Sequence, residues 1–421
     1  MIASLALAAL LPLLATAVPC VQFDTQWNLY AFGGSQDVNL GKSSSWAQPQ
    51  VTPLTSTGRP PWTGNTTQCL LSQFNNAMYV VGADASDASK IYIYSFAGNS
   101  WSTQSTSSAP SPQTRSASVL DHDTNVLFTY ANGGLSQLDM SAVTTAASGS
   151  ALAWEGVSAP SWGSGYASSA TAAQASNHIM YFGAPNTAAG SAQIFVVHYA
   201  YWQPTAQNFA SRSGGQAFPD LAGQAVSFPV DGEGVPTQLV YIPSDFSASY
   251  VVNHWTNPSS YASTDGSPYA SNLINTTTTL PAPPTKDANA AYAASYQSLV
   301  QITTGGEINY IANAVGSGSA TSGASWTKMN YALAGVSGGS SASASASGSA
   351  TGSASSGSAS ASGTGSRSAS ASGTASASGS GAAAASSSRA AAGKVVQGGM
   401  GLVGIAGAAV VAAVAGVGML L

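Results

Sequence analysis

A hydrophobic stretch with an aromatic side chain at its centre recurs six times along this chain, at Tyr30, Tyr79, Phe128, Tyr181, Tyr241 and Tyr310. The steps between them are 49, 49, 53, 60 and 69 residues. A tryptophan follows each one, at Trp46, Trp101, Trp154, Trp202, Trp255 and Trp326. The stretches read as strands: AMYVVGA from Ala77, KIYIYSF from Lys90 and QLVYIP from Gln238 are β-branched and aromatic runs bounded by Gly, Ser, Asn and Pro. Helical periodicity is scarce between Val18 and Gly335. A period near 50 with several strands per unit is the mark of propeller blades. A four-stranded blade cannot bury both faces alone, so blades must stack around an axis. One Trp or Tyr per blade, each able to bury about 150–250 Å², gives that stacking its area. The expected fold is an all-β propeller over residues 18–335, with six blades or a seventh completed from both termini.

The second unit resembles a kelch repeat. It runs Met78-Tyr79-Val80-Val81-Gly82-Ala83, then Tyr94, then Trp101 seven positions later. The first unit has the glycine pair, Gly33-Gly34, after Leu29-Tyr30-Ala31-Phe32, and the fourth has Gly183, then Phe195 and Trp202 at the same interval. The third and fifth match poorly. The resemblance covers most of residues 18–335 as degenerate repeats. It implies the propeller shared with the central domain of galactose oxidase, and no one activity, because propellers host binding and catalysis alike.

Both ends read as processing signals. Residues Ile2 to Leu14 are apolar and Ala15-Thr16-Ala17 is an A-x-A site, so residues 1–17 resemble a secretory signal peptide without its usual basic start. The 27 residues from Val395 to Leu421 carry no charged side chain. Small residues precede them, which is the pattern of a glycolipid (GPI) attachment signal over residues 394–421. The run is also long enough to span a membrane as a helix, the alternative reading. Attachment candidates are Ser388, Ala390, Ala391, Ala392 and Gly393. Residues 336–393 form a low-complexity Ser/Ala/Gly-rich stalk that cannot bury a core. As a flexible chain it spans about 40 Å. The whole layout resembles fungal-type glycolipid-anchored kelch-like surface proteins. The expected location is the outer leaflet of the plasma membrane or the cell wall.

The remaining composition fits export. The two cysteines, Cys20 and Cys69, are expected to form one disulfide. Asn65 and Asn275 head N-x-T sequons in expected loops and are candidate N-glycosylation sites. Residues 18–335 carry seven basic and fifteen acidic side chains, a net of −8. An acidic domain without a basic patch argues against nucleic acid as a partner.

Chemistry is sparse. A galactose-oxidase-like copper site needs two His, two Tyr and a free thiol for a Tyr–Cys crosslink. His122, His178, His198 and His254 are present, but no pair has local metal-site spacing and the cysteines are spoken for. Asp121 and Asp123 flank His122, Asp84 and Asp87 sit in ADASDASK, and Asp231 and Glu233 sit in PVDGEGVP. Near neighbours in a loop do not make the facing carboxylates of a glycosidase; turn roles suit them. Neither G-x-S-x-G nor a P-loop occurs in residues 18–335, and GSGYAS at Gly163 has no helix to present a serine. Trp62 and Trp162 fall outside the repeat, beside proline, and are candidates to stack on a sugar ring from exposed loops. No catalytic residue, metal ligand or cofactor is expected. The leading reading is a surface-anchored, non-catalytic propeller that binds protein or cell-wall glycan. The alternative is an extracellular oxidase or carbohydrate-active enzyme using the propeller mouth.

Overall fold

The computed structural model describes residues 18–336, except 112–116, 164–165, 167–169, 209–215, 233, 255–272 and 317. The signal segment, the stalk, the anchor candidates and Trp255 lie outside the described residues. Six sheets of four or five strands follow one another along the chain, each an up-and-down meander. Blade 1 is Cys20–Phe23, Leu29–Phe32, Val38–Gly41 and Thr52–Pro53. Blade 2 is Gln68–Ser72, Ala77–Val81, Lys90–Ser95 and Ser100–Ser107. Blade 3 is Ser118–Leu120, Val126–Ala131, Gly134–Asp139 and Glu155–Gly156. Blade 4 is Thr171–Ala175, His178–Phe182, Ser191–Val196 and Tyr201–Trp202, with Gln207–Asn208 also paired to its third strand. Blade 5 is Gly223–Phe228, Gln238–Pro243, Ser249–His254 and Ile274–Leu280. Blade 6 is Ala291–Ala294, Leu299–Ile302, Glu307–Ile311 and Thr327–Ala332.

The ring closes at six blades. The first strands of successive blades are neighbours, and the first strand of blade 1 touches those of both blade 2 and blade 6. Six hydrophobic clusters fill the six gaps between blades. In the gap between blades 4 and 5, Phe182 stacks on Tyr241 with ring centroids 4.4 Å apart. Among the described residues no blade mixes strands from the two ends of the chain. Closure instead comes from packing and from the Ser35 N–H, which donates to the Ala334 carbonyl at 2.8 Å. Among the described residues blade 2 alone borrows a strand: Leu152–Ala153, from the excursion before the last strand of blade 3, pairs parallel with its outer edge.

The repeat has a geometric cause. Tyr94 faces Trp101 and Phe195 faces Trp202 directly across the third-to-fourth strand hairpin. A seven-residue interval is therefore a cross-strand pair, whose rings can pack. Gly33, Gly82 and Gly183 end the second strands of blades 1, 2 and 4 with φ of +95, +67 and +62. At Gly183 a Cβ would also run into the Leu221 carbonyl of the next blade. Two details of the repeat are corrected. Tyr310 lies on the third strand of blade 6, whereas the other five aromatics lie on second strands. Trp46, Trp154 and Trp326 sit in connections, so among the described residues only Trp101 and Trp202 lie on fourth strands.

Cys20 and Cys69 are bonded, joining the first strands of blades 1 and 2 with Cα atoms 6.3 Å apart. Asn65 is exposed in the loop before blade 2, as expected. Asn275 lies on the outer strand of blade 5, not in a loop. Among the described residues no helix is long and apolar enough to cross a membrane.

Candidate functional site

The turns joining first and second strands all lie at one end of the ring, because every first strand runs the same way along the axis. They are residues 24–28, 73–76, 121–125, 176–177, 229–237 and 295–298. Four carry an aromatic ring: Trp27, Phe74, His122 and Tyr296. Trp27 and Tyr296 pack across the gap between blades 1 and 6 at 5.3 Å, and Phe74 and His122 across the gap between blades 2 and 3 at 4.7 Å. Phe74 is 51% and Tyr296 36% exposed.

Trp27 has left-handed backbone, φ +63. Such a conformation costs a bulky residue about 1–3 kcal/mol and persists only where its surroundings enforce it. Here Asp24 enforces it. Its carboxylate accepts from the Gln26 and Asn28 N–H groups at 2.9 and 2.8 Å and from the Tyr30 hydroxyl at 3.1 Å. The turn thereby holds the Trp27 indole outward, where Nε1 donates to the Asp231 carboxylate at 2.9 Å.

Asp231 belongs to the longest of these turns, residues 229–237 of blade 5. The Gln73 side-chain amide of blade 2 donates to the carbonyls of Val230, at 2.7 Å, and Gly232. Blades 2 and 5 are opposite in a ring of six, so this turn is a strap across the mouth. Asp231 has more than a turn role; Asp84 and Asp87 keep theirs, accepting from the Ser86 and Ser89 N–H groups at 3.0 Å each.

Behind the strap lies an axial cavity of about 160 Å³, walled by all six first strands together with Gln73, His122, Pro229 and Pro236. Its polar groups largely staple neighbouring blades together. The Gln68 amide accepts from the Ser118 N–H at 3.0 Å and donates to the Ser118 carbonyl at 3.4 Å. Gln22 donates to the Cys69 carbonyl at 2.8 Å. Gln174, on blade 4, donates to the buried Asp121 carboxylate and accepts from the His122 N–H at 3.2 Å. Asp121 also accepts from the Thr124 N–H at 3.0 Å.

This fixes the turn carrying His122. Its Nδ1 lies 3.0 Å from the Asp123 carboxylate. A carboxylate accepts only, so Nδ1 is the donor of this contact. The His122 side chain is 6% exposed. Nε2 is buried without a hydrogen-bond partner, an omission that costs about 1–3 kcal/mol.

The other sequence candidates are placed differently. Trp62 is 5% exposed and packs between Phe32 and Trp101, at 6.2 and 6.0 Å, so it offers no face to a ligand. Its indole lies in the pocket of Asp37, which pairs with Arg59 at 2.8 Å. Burial pushes the Asp37 carboxyl up to about 6, against the downward pull of Arg59 and of the Gly33 N–H. Trp162 is half-buried, stacked on Tyr130 at 5.8 Å and edge-on to Trp202 at 5.1 Å. Trp62 is thus interior and Trp162 only partly open, because the loops bearing them fold back over aromatic blade gaps. Among the described residues the exposed aromatics are Tyr199, Phe74 and Tyr296; of these Phe74 and Tyr296, with the half-buried Trp27, share the mouth and were missed. Their common place in first-to-second strand turns was the available signal.

His178 and His254 meet between blades 4 and 5, Nδ1 to Nε2 at 3.0 Å. Burial, helped by His254 and then His198, pushes His178 down to about 3. The pair stands on second and third strands, out from the axis. No thiol accompanies it, since both cysteines are in the disulfide. Among the described residues no group of three or more His, Cys, Asp or Glu side chains is placed to hold a metal ion.

No protein-family model matches this chain, and no curated protein matches it. Among solved structures it is similar to one titled "Streptogramin B lyase structure" at 10% identity, over 76% of this chain and 85% of that one, with a TM-score of 0.38. Likeness at that level carries no argument about function.

Proposed function

We propose that this chain is an exported propeller, tethered outside the cell, that binds cell-wall glycan on the aromatic mouth. The observation carrying the proposal is the placement of Trp27, Phe74 and Tyr296 at one end of the ring beside hydrogen-bonding amides and Asp231. Flat aromatic faces cover the apolar C–H faces of sugars, and neighbouring polar groups answer the hydroxyls. The net negative domain suits a neutral polysaccharide better than an anionic partner. A protein ligand is the competing occupant.

The terminal segments support export and a glycolipid tether, with the stalk as spacer. The glycine-ended second strands and the Tyr94–Trp101 and Phe195–Trp202 pairs support a kelch-type ancestry for the blades.

Retention of the full chain on insoluble β-glucan and chitin tests the binding reading. Changing Trp27, Phe74 and Tyr296 together to Ala lowers retention at least tenfold, while Trp62→Phe leaves it unchanged. Retention insensitive to the triple change rejects the glycan mouth. Treating intact cells with phosphatidylinositol-specific phospholipase C tests the tether: release supports the glycolipid, and no release supports a spanning helix.

A further inference from the structure

The sequon at Asn65 is closed in the folded chain. Asn65 itself is exposed, but Thr67, whose hydroxyl makes the tripeptide an acceptor, is 2% exposed. Its Oγ1 donates to the Gly64 carbonyl at 3.2 Å and to the Gly82 carbonyl at 3.3 Å. The backbone is tied down as well. The Thr63 and Gly64 N–H groups donate to the Ala83 carbonyl at 2.9 and 3.2 Å, and the Val18 N–H donates to the Gly64 carbonyl at 3.2 Å. A Cβ at Gly64 would run into the Gly82 carbonyl, so the two segments meet backbone to backbone. Just beyond the sequon, Cys69 is bonded to Cys20. An enzyme that must hold the Thr67 hydroxyl and the Asn65 amide together has no access to this loop once it has set. The exposed Asn65 side chain can still carry a glycan attached earlier.

We propose, on the reading that this chain is exported, that Asn65 is glycosylated only before blades 1 and 2 close, in a race that the Cys20–Cys69 bond ends and that leaves a fraction of molecules bare. In the transfer, the Asn65 amide nitrogen bonds to the anomeric carbon of an oligosaccharide carried on a lipid diphosphate, and gives up one proton. The bond from that carbon to the phosphate oxygen breaks, and the lipid diphosphate leaves with the electron pair. In the closing step the Cys20 and Cys69 thiols give two electrons and two protons to a disulfide of the compartment's thiol oxidants, which becomes a dithiol. The race is close because the closing partners arrive early. Cys20 precedes the sequon, and Gly82 follows Thr67 by 15 residues, about 1–3 s of synthesis at about 5–20 residues per second. The hairpin of Gln68–Ser72 and Ala77–Val81 then forms within about 1–10 μs but is marginal alone. The disulfide, which takes seconds or longer, makes the closure last. In the folded chain this loop stands where the first strands begin, at the end of the ring away from the mouth, so a glycan there leaves the mouth open.

The test translates the full chain carrying Ser349→Asn, which completes an N-x-T sequon with Thr351 in the stalk, into endoplasmic-reticulum microsomes. Peptide mass spectrometry after deglycosylation in H₂¹⁸O reads each site separately. The expected result is partial occupancy at Asn65, with a glycosylated-to-bare ratio raised about threefold or more by Cys20→Ser or by dithiothreitol, and no change at position 349. Gly183→Ala, which acts on blades made later, leaves Asn65 as it was. Occupancy at Asn65 that is complete without reductant, or that neither Cys20→Ser nor dithiothreitol raises, overturns the proposal while position 349 still reports export. A rise with Gly183→Ala equal to that with Cys20→Ser also overturns it, since global folding then ends the race. A bare position 349 rejects the export reading, and the proposal with it.

Discussion

The Gln73 side-chain amide of blade 2 donates to the Val230 carbonyl of blade 5, 157 residues away in sequence, at 2.7 Å. Opposite blades of a ring do not otherwise touch, so this bond measures whether the strap is down. Gln73→Ala combined with Asp231→Ala removes the two side chains holding it. Each such bond contributes about 0.5–1.5 kcal/mol, small against the packing of six blade gaps. Amide exchange over 229–237 is expected to rise at least tenfold, with global unfolding moved by less than about 1 kcal/mol. Unchanged exchange means that the prolines and backbone hold the strap alone.

The disulfide acts on the unfolded chain. It closes a loop over a sequence separation of 49 residues, which in the chain-entropy model is worth about 4 kcal/mol. Cys20→Ser with Cys69→Ser is expected to cost about 2–4 kcal/mol in urea unfolding and to free the first strand of blade 1 before the rest. A loss confined to the amide exchange of residues 18–23, with no global change, places the effect in local fraying instead.

Two buried groups act on stability with opposite sign. Asp37 is pushed up to about 6 by burial. The folded chain keeps a proton that the unfolded chain gives up near pH 4, so this contribution is present below about 4 and is lost as pH rises through 6. His178 is pushed down to about 3 by burial. The unfolded chain takes up a proton near 6.5 that the folded chain refuses, so that contribution is present above about 6.5 and is lost as pH falls towards 3. Between pH 4 and 6 the two oppose. Relative to the unaltered chain, Asp37→Asn is expected to tilt stability upward with pH across this window, by up to about 1.4 kcal/mol per pH unit, and His178→Gln to tilt it downward. Urea midpoints every half unit of pH read both slopes; a slope of the wrong sign rejects the assignment for that residue.

The blades were legible in sequence because a buried strand must be apolar over its length, and short apolar runs between Gly and Asn turns have few other readings. What failed was the identity of strands within a blade. Second and third strands of blade 6 are both buried, so Tyr310 passed for a second-strand aromatic. Blade number needed the contact of the first strands of blades 1 and 6, a long-range fact with no local signature. The mouth was missed for a similar reason. Trp27 and Phe74 are single aromatics in short turns, and only the common direction of the first strands gathers them at one end. Trp62 misled because proline beside it suggested an exposed loop, while the Phe32 and Trp101 rings that bury it come from strands about 30 and 40 residues away in sequence.

Two glycines, Gly183 after the second strand of blade 4 and Gly149 in the loop before Leu152, separate conformation from contact. Gly183 and Gly149 both have left-handed backbone, φ +62 and +83. A Cβ at Gly149 meets nothing within 4 Å, whereas at Gly183 it meets the Leu221 carbonyl and the Ala222 backbone nitrogen of the approach to blade 5. Gly149→Ala therefore isolates the backbone cost, expected at about 1–2 kcal/mol. Gly183→Ala adds a clash with backbone that cannot swing away as a side chain would. To relieve it, blades 4 and 5 must part at the Phe182–Tyr241 stack. The expected loss exceeds that of Gly149→Ala by at least about 2 kcal/mol, with altered near-ultraviolet circular dichroism from the displaced tyrosine. Equal losses at the two positions mean that the blades meet more loosely at this end, and that the glycine is retained for its φ alone.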